Sequence, residues 1–477
     1  MTYPINTKCM VANSDVKNGM LSDNIALVIS AIGKNEFLYL GSKSVIMEPA
    51  RDGESIAVTG ISQGEKLIAF GVPIGVASKP IHAVQVICSE TDGNMRPLKD
   101  DEDVILIPDR YLSIPETPKT DHLFWKGYSR YHQGKLVGAG IKNKVMVLNT
   151  VKCSETASIN IAHLIRMQFA DQFKNVDDVV ACTHDFGCGM PTGDAKRELV
   201  KLLVRAMNHP NIGAIILIGL GCEHLSLNEA LPGNIVGVLR EDVYDFDRRV
   251  FLSSIQSYTS EYEALKSIAE IQGKKAMQVG NESAREELPL RYLTLGLKCG
   301  GSDRFSGVSA NAVLGTLSDL IIENGGRVII TETPEFEGSM ELLAARATSL
   351  EIREWLLDLI PRFDRLCGNY PISASGYQDI APGNKGGGLH NARLKSAGAL
   401  KKCGSKPVVG YLVYGESLPI DSPNGVYVLD CPSYDQISTT ALLLSGAQTV
   451  AFTTGLGTTF SSAISPVLKI GNRKKWG

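Results

Sequence analysis

Apolar runs of strand length alternate with helix-length segments from Lys144 almost to the C-terminus, which restricts the chain to α/β architectures. The apolar runs fall at 144–149, 176–183 and 214–219, then at 290–297, 327–331, 407–413, 426–430 and 449–453. Helical spacing fills 154–173, 194–208 and 258–272, then 312–324, 339–365, 391–402 and 435–445. Strands joined through helices run parallel and are covered on both faces. One hydrophobic core rarely serves more than about 250–300 residues. The pattern therefore predicts two consecutive α/β domains with mainly parallel sheets, 126–285 and 286–477. Ahead of them, residues 1–95 carry short β-type runs at 24–29, 36–40, 55–58, 66–70 and 84–88, with glycines between and no helix-length segment. That predicts a small β-module. Pro97, Pro108, Pro115 and Pro118 mark 96–125 as a linker.

Hydrophobic residues make up 44% of the chain and charged residues 21%, enough to build such cores. A formal net charge of -3 supplies no field for nucleic acid or an anionic membrane. No run approaches the ~20 apolar residues of a membrane span. The polar start, Met1 to Asn24, has no apolar core of signal-peptide length. The 10 cysteines are scattered and form no CxxC pair. A cytoplasmic protein with reduced thiols is expected, with no nucleic-acid or membrane partner.

Glycine turns follow several of the strands, where α/β proteins build ligand sites. The richest is Cys299-Gly300-Gly301-Ser302-Asp303, followed by Ser306, Ser309 and Asn311 at the start of a helix. Cys188, Cys222 and Cys299 each lie just beyond a strand with glycine beside them, and His184 and His224 stand close to the first two. Converging thiolates would ligate iron or zinc and leave an open coordination position. A metal-free thiol-lined pocket and plain packing are the other readings of the same pattern. Glu223 and Glu332 also follow apolar strands, where a carboxylate serves as acid, base, metal ligand or helix cap. Asn384 and Lys385 sit among glycines before a helix, suited to a carboxylate or phosphate. Thr454 lies in a Thr-Thr-Gly-Leu-Gly-Thr turn whose hydroxyls suit a polyol.

Together these strings resemble one family, the altronate and galactarate dehydratases. The matching stretches are Thr183 to Gly189, Ile218 to Glu223, Cys299 to Asp303, Phe305 to Asn311, Pro382 to Lys385 and Phe452 to Gly455, in family order. Gly127-Tyr128 through Asn143, then Cys153-Ser154, resembles the family's entry to its middle domain. The N-terminal β-module is similar to the SAF domain. The resemblance implies a metal-dependent hydro-lyase that dehydrates a small-molecule hydroxy acid to a 2-keto-3-deoxy acid. It implies Fe2+; the three-thiol pattern offers an iron–sulfur cluster on Cys188, Cys222 and Cys299 as an alternative, His184 is expected as a further metal ligand, and a homo-oligomer, a dimer, is expected. The residues expected to act on substrate are Cys299, Ser302, Asp303, Glu223 and Lys385. Those expected to bind it are Ser306, Asn311, Glu332, Asn384 and Thr454. Glu54 stands where the family has the histidine of a Gly-His-Lys string, Leu456 where it has arginine, and Gly477 ends the chain where the family continues. These departures leave two alternatives: an impaired paralogue acting as a binding or assembly subunit, or a hydro-lyase for a different hydroxy acid.

Overall fold

The computed structural model describes residues 55–70, 72–83, 85–87, 111–189, 193–225, 227, 243–368, 380–389 and 392–471, with the short segments 3–6, 9–11, 23–28, 37–40, 43–46 and 95–96. Glu54 and the last residues, 472–477, lie outside the described residues. Two parallel sheets carry the molecule. In the first, β1 (Lys144–Asn149), β2 (Asp178–Cys182), β3 (Ile212–Gly219) and β4 (Val250–Ser254) lie in the order β2–β1–β3–β4. In the second, β5 (Thr294–Cys299), β6 (Arg327–Ile330), β7 (Val408–Leu412), β8 (Gly425–Leu429), β9 (Thr449–Thr454) and β10 (Val467–Gly471) lie in the order β7–β8–β6–β5–β9–β10. Every pairing in both sheets is parallel. β1, β3, β5, β8 and β9 are buried at every residue, which is why they read as unbroken apolar runs.

Strand alternation sorts the side chains of β1 into two cores. Val145 and Val147 join Ala214 and Ile216 under α1 (Glu155–Phe169), which buries Ala157, Ile161, Ala162 and Ile165 at helical spacing. Met146 and Leu148 face the other way, toward Leu199, Leu203 and Met207 of α2 (Asp194–Asn208). That second core continues into Ile329, Leu442 and Val450, so the two sheets' domains share it.

The N-terminal region holds strands and turns and no helix among its described residues, and its strands pair antiparallel. It shares a core with the C-terminal domain: Leu67, Phe70, Val72 and Ile74 cluster with Leu295, Leu314, Val328 and Ala397. No described helix is long and apolar enough to cross a membrane.

Several elements differ from the sequence reading. The helix expected over 339–365 is two, Met340–Ala344 and α4 (Leu350–Gly368). Between them Ala347 bridges to Val408, and the Thr348 N–H donates to the Val408 carbonyl, so the chain joins the edge of the sheet. The glycine-rich segment 382–386 is a short helix, with Pro382 fixing the first turn. Strands Val72–Ala77, Phe124–His132, Lys135–Gly140, β4 and β10 were not anticipated.

α3 (Ala310–Glu323) runs against the 3-10 turn Lys401–Cys403, which follows α5 (Ala392–Leu400). Close approach needs glycine here, since a β-carbon on Gly315 would sit 2.1 Å from the Lys401 carbonyl oxygen. Gly315→Ala is expected to cost about 1–3 kcal/mol as overpacking. The check is a thermal unfolding midpoint several degrees below wild type; an unchanged midpoint would mean the turn yields freely.

Candidate active site

β5 ends at Cys299, and its neighbour β6 leads through Thr331 into Glu332. Glu332 adopts φ +86° and ψ +65°, a left-handed conformation that costs a non-glycine residue energy and persists only where the surroundings impose it. The imposed position aims the carboxylate at two lysines. Glu332, Lys298 and Lys402 are each no more than 1% exposed.

The Lys298 ammonium donates to Glu332 Oε1, to the carbonyls of Cys299 (3.0 Å) and Ser433 (3.1 Å), and pairs with Asp435 Oδ1 (3.1 Å). Asp435 opens α6 (Asp435–Leu444). Lys402, from the turn after α5, donates to Glu332 Oε2 at 3.1 Å and to Cys299 Sγ at 2.9 Å. The Cys299 N–H also donates to Glu332 Oε2, at 3.0 Å.

This network fixes protonation. Burial would raise the Glu332 carboxyl, but the Lys298 and Lys402 charges reverse that and hold it down at about 2. Burial would lower both lysines, yet their negative neighbours more than offset it and keep the ammonium groups charged. The Cys299 thiol is pushed up to about 11, by burial first and then by Glu332. It is therefore a neutral thiol at neutral pH.

Three glycine-bearing segments close over this charged floor. The Ser302 N–H donates to Asn384 Oδ1 at 2.6 Å. The Gly455 N–H and the Thr454 hydroxyl both donate to the Gly301 carbonyl, at 2.8 and 3.2 Å. The Arg304 N–H and Nε reach the carbonyls of Gly387 and Gly388. Ser306 Oγ donates to Asp303 Oδ1 at 3.2 Å and accepts from the Asp303 N–H. Cys299, Ser302, Asp303, Ser306, Asn384 and Thr454 are thus assembled at one strand edge, and Lys385 is carried on the exposed side of the same short helix as Asn384. The Leu456 side chain fills the gap between turns; β-carbons on Gly301 and Gly383 would meet its Cδ1 at 2.8 and 3.1 Å.

Two residues expected to bind substrate are engaged inside the protein. Glu332 serves the lysines, and the Asn311 carboxamide spans the Gly398 carbonyl and the Thr453 hydroxyl. Glu223, Cys188, Cys222 and His184 lie at the carboxyl edge of the other sheet. Both Glu223 oxygens accept bonds, from Thr150 Oγ1 and from the N–H groups of Leu220 and Gly221, which shapes the turn after β3. Cys188 and Cys222 are exposed on adjacent turns, joined by the His224 N–H to the Cys188 carbonyl at 3.4 Å. His184 Nδ1 accepts from the Phe186 N–H, so the neutral ring carries its proton on Nε2 and offers no lone pair there. Among the described residues no three His, Cys, Asp or Glu side chains are arranged to hold a metal ion. Cys188 and Cys222 stand on turns of the first sheet and Cys299 on the second, beside Lys402 and Glu332, so with His184 they do not form such a group.

Lys298 and Lys402 were not anticipated as site residues. Lys298 left a signal, a lysine inside an otherwise apolar strand, since a lysine is almost never fully buried unless paired. Lys402, in a Lys-Lys-Cys string after a helix, left none.

The chain has known relatives. A family model described as D-galactarate/altronate dehydratase, C-terminal, matches residues 290–476, and one described as D-galactarate dehydratase/altronate hydrolase, second domain, matches 127–273. The chain is 31% identical to altronate dehydratase from Bacillus subtilis over 455 residues, which is 94% of this chain and 84% of that one. It is 31% identical to altronate dehydratase from Escherichia coli, over 95% of this chain and 86% of that one. It is 27% identical to the L-threo-forming galactarate dehydratase of Escherichia coli, over 95% and 84%. Both parallel-sheet domains match in order and two of these relatives pair nearly end to end at 31%, so the chain belongs to the altronate/galactarate dehydratase family.

Proposed function

We propose that this chain is a hydro-lyase that removes water from a sugar acid of the altronate or galactarate type, releasing a 2-keto-3-deoxy acid. Family membership supports the reaction class. The observation that carries the site assignment is the buried Lys298–Glu332–Lys402 network beneath the glycine turns that end β5.

The chemistry asks for fixed positive charge. A proton α to a carboxylate is only weakly acidic, and its removal leaves an enediolate whose charge needs preorganised stabilisation. Lys402 is proposed to supply it as a fixed charge beneath the turns, fully buried and held positive by Glu332 and Cys299. Glu332 is a positioning residue that fixes both ammonium groups. Asn384 and Lys385, with turn N–H groups, suit the substrate carboxylate. Ser302, Asp303, Ser306 and Thr454 suit its hydroxyls. The roles assigned here are those of the chain's own side chains. The second reading, a different hydroxy acid, is favoured by Leu456, which presents an apolar surface between the Gly301 and Gly383 turns.

The test is a panel of aldonates and aldarates offered to the purified chain, with and without added divalent metals, and 2-keto acid release followed as the semicarbazone. Altronate or galactarate is expected to give product, and a shorter hydroxy acid as the sole substrate would establish the second reading. No product from any of them would overturn the hydro-lyase assignment.

A further inference from the structure

A cavity of about 270 Å³ lies at the seam between the two parallel-sheet domains. His209 and Pro210, just ahead of β3, Thr294 at the start of β5, and Gln448, just ahead of β9, all line it. These are amino ends of parallel strands. The turns proposed to hold substrate are at the carboxyl ends, about 16 Å away along β5 at the usual rise per residue. The cavity is therefore a separate place in the molecule.

Among the described residues its lining holds one arginine and no aspartate or glutamate. Arg205 spends Nε on the Gly415 carbonyl at 3.3 Å, and among the described residues its two terminal nitrogens have no partner. His132 Nδ1 accepts the Asp245 N–H at 3.3 Å, so the neutral ring carries its proton on Nε2 and offers a donor. Ser417 adds a hydroxyl that has no partner among the described residues. Leu418, Pro210, Leu443 and Val137 supply apolar walls. A guanidinium fork, an imidazole N–H and a hydroxyl in an apolar recess match a carboxylate on a compact uncharged body.

We propose that this seam cavity binds a small organic carboxylate through Arg205, His132 and Ser417. A ligand there touches both domains at once, which is the geometry of an effector site. Nothing in this placement depends on which sugar acid is turned over.

Isothermal titration of the full chain with benzoate, and with benzamide and inorganic phosphate as separate arms, tests it. Benzoate is expected to bind, benzamide to give no heat, and Arg205→Met to weaken benzoate at least about tenfold, or ~1.4 kcal/mol. Val137 lines the cavity and is 36% exposed, so Val137→Trp is expected to occupy the cavity with little disturbance of the core and to abolish binding even where Arg205→Met folds poorly. Equal benzoate affinity in both variants, no heat up to about 10 mM, or Arg205-dependent binding of phosphate without benzoate would overturn the proposal.

Discussion

Glu332→Gln is expected to destabilise the chain by about 3–5 kcal/mol, because it leaves buried ammonium charge without its carboxylate. The two lysines are affected unequally. Lys298 keeps Asp435 at 3.1 Å and two backbone carbonyls. Lys402 keeps the Cys299 sulfur and the more distant Glu335 charge but loses its direct carboxylate partner, where water does not reach. The strained backbone at residue 332 would also lose the two ion pairs that hold it. A pH series isolates the electrostatic part. The Glu332 carboxyl is held at about 2 against an ordinary 4.5, so its folded-state value is depressed. Its stabilisation is therefore fully present above about 4.5 and is lost as the pH falls toward 2. The gap between wild-type and Glu332→Gln unfolding midpoints should be wide near neutrality and should narrow across that acid window. A gap that stays constant down to pH 2 would show that the carboxylate's charge is not what the fold depends on.

The legibility of this molecule follows from where information sits in a chain. Parallel strands buried on both faces advertise themselves as apolar runs, which is why β1, β3, β5, β8 and β9 stand out. β4 and β10 do not: each carries polar or charged residues, with Ser253 and Ser254 in one and Lys469 in the other. The break between the helices at 340 and 350 is invisible because Ala345 and Ala347 fit a helix as well as the sheet-edge bridge that tertiary contact imposes.

The same division runs through the site. Local motifs marked the turns at 299–303, 382–385 and 454–457, and the structure joins them by direct hydrogen bonds. The charged floor beneath them is non-local. Lys402 reaches Cys299 across 103 positions and Lys298 reaches Glu332 across 34, so no window of sequence shows them paired. The shared context of three cysteines suggested one centre, but equivalent positions on two different sheets are similar in sequence without being close in space. Cys299 belongs to the second sheet's lysine network, while Cys188 and Cys222 stay exposed on the first sheet's turns.

Lys402→Met separates chemistry from folding within that network, and its expected result is opposite to that of Glu332→Gln. Methionine nearly matches the lysine stem in volume and removes one buried cation, while Glu332 keeps Lys298 as its partner. Replacing a buried charge by a fitting apolar side chain is often neutral for stability when its neighbours stay paired. The unfolding midpoint should remain near wild type. Turnover should not, since losing one preorganised stabiliser of developing negative charge typically lowers kcat by about 10²–10³. Because the buried charge acts on the developing enediolate rather than on ground-state binding, the loss should appear in kcat and leave KM little changed. Lys402→Arg restores charge but not the compact ammonium that fits between Cys299 Sγ and Glu332 Oε2, so it should recover little. If Lys402→Met releases 2-keto acid at the wild-type rate, Lys402 has no part in the reaction. If it loses stability and turnover together, the lysine holds the fold rather than the charge of the enediolate.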